Sequence, residues 1–151
     1  MVHVTARADY AVRAIIEIAA AGGDSPLKAD QIAERQGIPL GFLRGILTDL
    51  RRSELIVSQR GATGGFRLAR PANEITIAQV IRSVEGPLAQ VRGHRPNELE
   101  YPGRAEPLRD VWIALRANLR AILDQTTIDD VASGTLPTHV SELAADPAAW
   151  S

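Results

Sequence analysis

The stretch from Ile32 to Pro71, "IAERQGIPLGFLRGILTDLRRSELIVSQRGATGGFRLARP", decides the fold. Its first residues close a short helix that ends at Gln36. Gly37 suits the left-handed residue that terminates a helix, and Pro39 suits the first turn of the next one. That second helix, about 39–52, carries Leu43, Ile46, Leu47 and Leu50 at i, i+3, i+4 and i+7, a single apolar stripe. Two short helices joined by a glycine-containing turn make a helix-turn-helix. Ala33, four residues before Gly37, allows the close helix approach that the motif needs. Next come "LIVSQ" (55–59) and "FRLAR" (66–70), which flank a glycine-rich turn as the strands of a β-hairpin.

Working outward, "TARADYAVRAIIEIAAAGG" (5–23) predicts a first helix with Thr5 as N-cap and Gly22-Gly23 as its stop. After the hairpin, "TIAQVIRSVEG" (76–86) opens with a Thr76/Gln79 capping box. Residues 86–106 hold several prolines and glycines and little periodicity, so a long surface loop is expected there. From Pro107 a strong helix follows, with Leu108, Val111, Trp112, Leu115, Leu119, Ile122 and Leu123 on one stripe. The expected fold is mainly α with a small β-hairpin wing: a winged helix-turn-helix over 1–85, a loop of the sensor type over 86–106, a dimerisation helix over 107–130 and a flexible tail over 131–151. A small domain with such a stripe on its last helix has apolar surface left over, which a second copy would bury.

Composition narrows the function. The 151 residues include no cysteine, which removes disulfides, zinc fingers, thiolate-held clusters and thiol catalysis. No apolar run is long enough to span a membrane, and Asp9, Arg13 and Glu17 interrupt the N-terminal one, so a cytoplasmic protein is expected. The net charge of −1 hides an asymmetry: residues 35–70 hold seven arginines against Asp49 and Glu54, while 86–151 hold six against nine acids. A concentrated basic segment in a near-neutral chain points to a local anion-binding face, or to a solvated run of charge. A nucleotide-binding enzyme fits poorly. The glycines of "RGATGGFRL" (60–68) lie between two strands, and no phosphate-loop or dinucleotide fingerprint is present.

The wording of residues 1–85 resembles the Rrf (Rrf-two) family of winged-helix bacterial transcriptional regulators, the IscR/NsrR/CymR group. The likeness is carried by "DYAVRAIIEIA", by the 32–71 stretch and by "ITIAQVIRSVEGPL". It implies a homodimer on double-stranded operator DNA, with the second helix of the motif in the major groove and the wing in the minor groove. Many members carry an iron–sulfur cluster on three cysteines in the loop before the dimerisation helix. Here that loop has none, so no cofactor is expected, and Asp9, aligned with an acidic ligand of some members, reads as an ordinary first-turn acid.

Candidate DNA-binding residues follow. Gly41, Arg44, Gly45, Thr48 and Arg52 share the face opposite the core stripe. Two glycines cost about 1 kcal/mol each in a helix, for which close approach to a groove, or packing inside the protein, would compensate. Arg44 is the expected base reader, since arginine pairs bidentately with guanine. Arg51 and Arg52 suit phosphate or plain solvation, and Thr48 suits phosphate or local capping. In the wing, Gly61, Gly64 and Gly65 would let the hairpin reverse tightly and keep its tip thin, with Arg60 in a minor groove and Arg67 on a phosphate. His3, His94 and His139 show no ligand spacing, so no metal site is expected. Residues 86–112 are where an unidentified effector or partner would act, with His94, Arg92, Arg95, Arg104 and Trp112 as candidates, although a solvated loop, and for Trp112 the core of the stripe, is the plainer reading of each. The expectation is a repressor. The alternatives are a winged helix used for protein contact, or a regulator controlled by a small ligand or partner protein.

Overall fold

Thr5 caps α1 (Ala6–Ala20) as expected, accepting from the Ala8 N–H at 3.1 Å. The computed structural model describes residues 3–23 and 25–151. After α1 come α2 (Ala29–Gln36) and α3 (Leu40–Arg52). Between them Gly37 is left-handed, at φ 63° and ψ 37°, and donates to the Ala33 carbonyl. Pro39 stands just before α3, and its carbonyl accepts from Leu43 N–H at 2.9 Å. All four stripe residues of α3 are buried, as are Ala8, Ala11, Ala14, Ile15 and Ile18 of α1. The three alanines let other elements lie close to α1, which contacts α2, α3, the wing and two later helices.

Arg13 fastens α1 to the end of α2. Its guanidinium donates to the Gln36 carbonyl and, at 3.1 Å, to Gln36 Oε1. A cation there also meets the negative end of the helix dipole. Gln36 in turn donates to Glu17 at 2.6 Å. The angle between the first two helices is thus held by polar groups as well as by the core.

The wing consists of β1 (Ile56–Gln59) and β2 (Gly65–Leu68), antiparallel, with Ile56 opposite Leu68 and Gln59 opposite Gly65. A third segment joins it. Leu27 N–H donates to the Phe66 carbonyl at 3.0 Å, and Phe66 N–H to the Leu27 carbonyl at 2.7 Å. This pairing explains Gly65. Its φ is +145°, and a Cβ there would lie 2.6 Å from the Leu27 carbonyl. Gly64 is buried in the turn, where a Cβ would lie 2.3 Å from the Gln59 oxygen. Gly64 thus serves the tight reversal of the hairpin, and Gly65 the close approach of Leu27. Gly61 alone of the three is exposed, with open space around it.

Helix α4 (Ile77–Glu85) begins with the expected capping box, Thr76 N–H to Gln79 Oε1 at 3.0 Å and Gln79 N–H to Thr76 Oγ1 at 3.2 Å. The loop that follows has more regular structure than its composition suggests. It holds 3-10 turns at Pro96–Glu98 and Gly103–Ala105, buries Pro96 and Leu99, and packs its first turn on α5 (Leu108–Leu123). The chain then returns to the head. Ile77 N–H donates to the Thr126 carbonyl at 2.9 Å, and Ile128 N–H to the Ile75 carbonyl at 2.8 Å. Ile128 is fully buried in the core at the start of α6 (Ile128–Ala132), which packs on α1. The head therefore draws on residues beyond α5 as well as on 1–85. At the end of α5, Asp124 meets Arg120 at 2.8 Å and, across on α4, Arg82 at 3.1 Å. Partial desolvation pushes its carboxyl up, but the hydrogen bonds and charges of the two arginines outweigh that and hold it below its ordinary value.

Residues 131–151, expected as a flexible tail, carry α7 (Thr138–Ala145) and a 3-10 turn at Pro147–Ala149. His139 Nε2 lies 2.9 Å from the Ala121 carbonyl, and Asp146 caps Ala148 N–H at 3.0 Å. No residue of α7 is buried, so this helix leaves no core stripe to read.

Gly65→Ala should destabilise the protein by about 2–4 kcal/mol through backbone strain and collision with Leu27. Gly61→Ala should cost clearly less. Urea unfolding midpoints compare them, and equal losses would remove the proposed role of the Leu27 contact.

Candidate nucleic-acid interface

With its stripe buried, α3 turns Gly41, Arg44, Gly45 and Arg52 to solvent, and Thr48 is half-buried. At about 100° per residue, Gly41, Gly45, Thr48 and Arg52 lie opposite the core, while Arg44 and Arg51 flank them on one side. Thr48 donates its hydroxyl proton to the Arg44 carbonyl at 3.0 Å, the local use of that side chain. A Cβ at Gly41 would meet nothing within 4 Å, and one at Gly45 only the Arg7 guanidinium at 3.9 Å. Internal packing therefore requires neither glycine, which disposes of the packing explanation for both.

The arginines separate into two groups. Among the described residues, the ion pairs use Arg7 with Asp49, Arg13 with Asp9, Arg35 with Glu17, and Arg82 and Arg120 with Asp124. Arg44, Arg51, Arg52 and Arg60 are exposed and take part in none of these pairs. Carboxylates thus neutralise arginines within and between the elements of the head and leave those on the outward face of α3 and at the wing tip uncompensated, as they do several of the 92–116 stretch. Arg67 is placed differently. It is half-buried, its Nε has no partner, and it lines a groove of about 480 Å³ with Ser25, Lys28, Gln31, Gln59 and Thr63, between the wing and the start of α2.

Two residues at this surface escaped the sequence reading. Arg7, from the first turn of α1, pairs with Asp49 of α3 and lies beside Gly45. No local pattern could have linked positions 42 residues apart in this way. Phe42 packs edge-on against Tyr10, with centroids 5.6 Å apart and planes at 84°, yet stays 44% exposed. Its signal was present in the sequence: a large apolar residue outside the stripe of its own helix.

Elsewhere the candidates scatter. His3 and His94 are exposed, as are Arg92, Arg95 and Arg104. Trp112 Nε1 donates to the Tyr101 hydroxyl at 3.0 Å, and the Arg92 guanidinium lies 5.7 Å from the Tyr101 ring. None of the stripe residues of α5 is buried. Among the described residues no helix is long and apolar enough to cross a membrane.

The sequence profile of the Rrf2 family, described as an iron-dependent transcriptional regulator, matches residues 4–134. The chain belongs to the Rrf2 family. This Rrf2 chain is 49% identical over 144 residues to a Mycobacterium tuberculosis (strain H37Rv) protein provisionally named HTH-type transcriptional regulator Rv1287, covering 95% of this chain and 89% of the other. It is 32% identical over 132 residues to HTH-type transcriptional regulator CymR of Bacillus subtilis, covering 87% and 91%. The solved structure of B. subtilis CymR, described as the global cysteine regulator of that organism, superposes with a TM-score of 0.77 at 30% identity, over 89% of this chain and 99% of that one. T. potens IscR does so with a TM-score of 0.72 at 28% identity, over 88% of each. These are transcription regulators, so the chain is a DNA-binding helix-turn-helix regulator and not an enzyme.

The iron in the family's description finds a poor donor set in this Rrf2 chain. Its 151 residues offer no thiolate. Among the described residues no group of three or more His, Cys, Asp or Glu side chains could hold a metal ion. Asp9 is engaged by Arg13 at 3.1 Å. These residues do not fit a cysteine-held cluster.

Gly41→Ala and Gly45→Ala should each raise stability, by up to about 1 kcal/mol, while weakening DNA binding. Thermal unfolding and a DNA titration of the same samples test both halves. Stabilised variants that bind DNA as wild type does would mean that the groove does not need the glycines.

Proposed function

We propose that this Rrf2 protein is a homodimeric, sequence-specific repressor that works without an iron–sulfur cluster. The observation that carries the reading is the outward face of α3: two glycines with no internal role beside arginines with no carboxylate partner. Arg44 reads a guanine edge, and Gly41 and Gly45 let the helix backbone sink into the major groove. Arg51 and Arg52 hold phosphates, which fix register without reading sequence. Arg60 and Gly61 at the wing tip enter the adjacent minor groove, whose potential favours a guanidinium. Arg67, with Lys28 in the groove beside it, meets a phosphate.

Dimerisation is supported by α5. It has an apolar stripe and no buried residue, and Val111 is 56% exposed. A second copy laid against Leu108, Val111, Trp112, Leu115, Leu119, Ile122 and Leu123 removes that surface from water. Two-fold symmetry then sets two recognition helices into successive major grooves about one helical turn apart. Repression needs only occupancy of a promoter by such a dimer. Residues 86–112 are the place for a small ligand or partner protein to act, because the Arg92, Tyr101 and Trp112 contacts tie that loop to the dimerisation helix.

Fluorescence titration of DNA from upstream of the protein's own gene, at two salt concentrations, tests the reading. Arg44→Ala should cost about 1–3 kcal/mol at one base pair and relax preference there. Arg60→Ala should weaken all sequences alike and reduce the salt slope by about one. If both variants bound as wild type does, these roles would be wrong. Light scattering should find a dimer at micromolar concentration and a monomer for Val111→Glu, and a monomeric wild type would sink the dimer.

A further inference from the structure

We propose that Phe42 reads the C5-methyl group of a thymine, and so sets one position of the operator. The inference rests on the reading that α3 enters the major groove. Phe42 lies in the first turn of α3, the part of a recognition helix whose side chains reach base edges. It is 44% exposed, while Leu43, Ile46, Leu47 and Leu50 of the same helix are buried. At about 100° per residue, Phe42 and Arg44 flank the glycine face on opposite sides. With Gly41 and Gly45 between them carrying no side chain, the ring and the Arg44 guanidinium are the long exposed side chains of the N-terminal half of α3, Arg51 and Arg52 standing at its far end.

The ring is also propped. Tyr10 meets it edge-on at 5.6 Å. The Arg13 guanidinium lies 5.3 Å from the Tyr10 ring, and Arg13 is itself held by Asp9 and by Gln36. A chain of contacts from α1 and α2 thus props an aromatic ring that the core leaves 44% exposed. In the major groove the thymine methyl is the apolar feature among hydrogen-bonding edges, and apolar side chains such as phenylalanine contact it. Cytosine, in the same pyrimidine position, lacks that methyl and presents an amino donor instead. A face with arginine on one flank and phenylalanine on the other is chemically matched to guanine and thymine.

The test replaces thymines of a selected operator, one at a time, by deoxyuridine, which removes the methyl and leaves base pairing intact. Wild type should lose about four-fold in affinity per half-site at one thymine, the burial of a single methyl group. Phe42→Ala should bind more weakly and show equal affinity for the thymine and uracil sites. Phe42→Leu, which keeps an apolar side chain and guards against a misfolded alanine variant, should retain part of the preference. Circular dichroism confirms that both variants are folded. A wild type indifferent to uracil at every thymine, or a folded Phe42→Ala with the wild-type ratio, overturns the inference while leaving DNA binding in place. A wild type that binds no DNA at all overturns the proposed function and this inference together.

Discussion

The burial of Leu43, Ile46, Leu47 and Leu50 against the rest of the head fixes the rotation of α3 about its axis, and with it the exposure of every residue on the other side. Each such side chain contributes about 1.5–3 kcal/mol when taken out of water. Two exposed glycines subtract about 1 kcal/mol each from the same helix. Burial wins by a wide margin, which is why a helix with two glycines and a threonine holds its shape. Isolated in water, thirteen such residues would be a poor helix. Its outward face is thereby freed from any duty to helix stability and is left to contact chemistry.

Charge follows the same division. Arg7, Arg13, Arg82 and Arg120 bridge to acids from neighbouring turns or other elements. Exposed pairs of this kind contribute little singly, about 0–1 kcal/mol. Arg13 and Arg82 matter more for where they sit: one closes the end of α2, the other ties α4 to the end of α5. Arg44, Arg51, Arg52 and Arg60 come from the 35–70 segment whose excess positive charge stands out in the sequence, whereas the other arginines outside the ion pairs, such as Arg92, Arg95, Arg104 and Arg109, lie in an acid-rich stretch. A solvated charge run would have been the bland explanation. It does not account for bare glycines among those arginines on one face of a helix.

What was legible in the sequence was local. The α3 stripe, the Gly37 turn, the Thr5 cap and the Thr76/Gln79 box all depend on residues within a few positions of one another, and all stand where periodicity and capping chemistry place them. What was not legible depends on pairing across distance. Leu27 reads as the edge of a turn until Phe66 is found beside it, and only then does Gly65 acquire its reason. Ile128 sits in the head core although α5 and a long loop separate it from Ile75. For α7 the cause is different, because a helix with no buried residue carries no stripe. At the candidate site, the glycines and arginines of α3 were readable from spacing, whereas the Arg7 and Tyr10 contacts required the packing of α1 on α3.

The way α5 is attached also refines its role in the proposed dimer. Its C-terminal end is anchored: Asp124 is clamped by Arg82, and residues 126–128 pair with 75–77 of the head. Leu119 and Leu123, near that end, line a cavity of about 390 Å³ together with Val4, Ala8, Ile81 and Leu88. The opposite end carries Leu108 and Val111, the exposed large apolar side chains of the helix. Leu119 and Leu123 therefore also border the protein's own head, while Leu108 and Val111 stand clear of it. The proposed dimer would transmit its geometry through the anchored end of α5 into α4, and α4 packs directly on α3. The spacing of the two recognition helices would then be set by packed side chains from one α3 to the other.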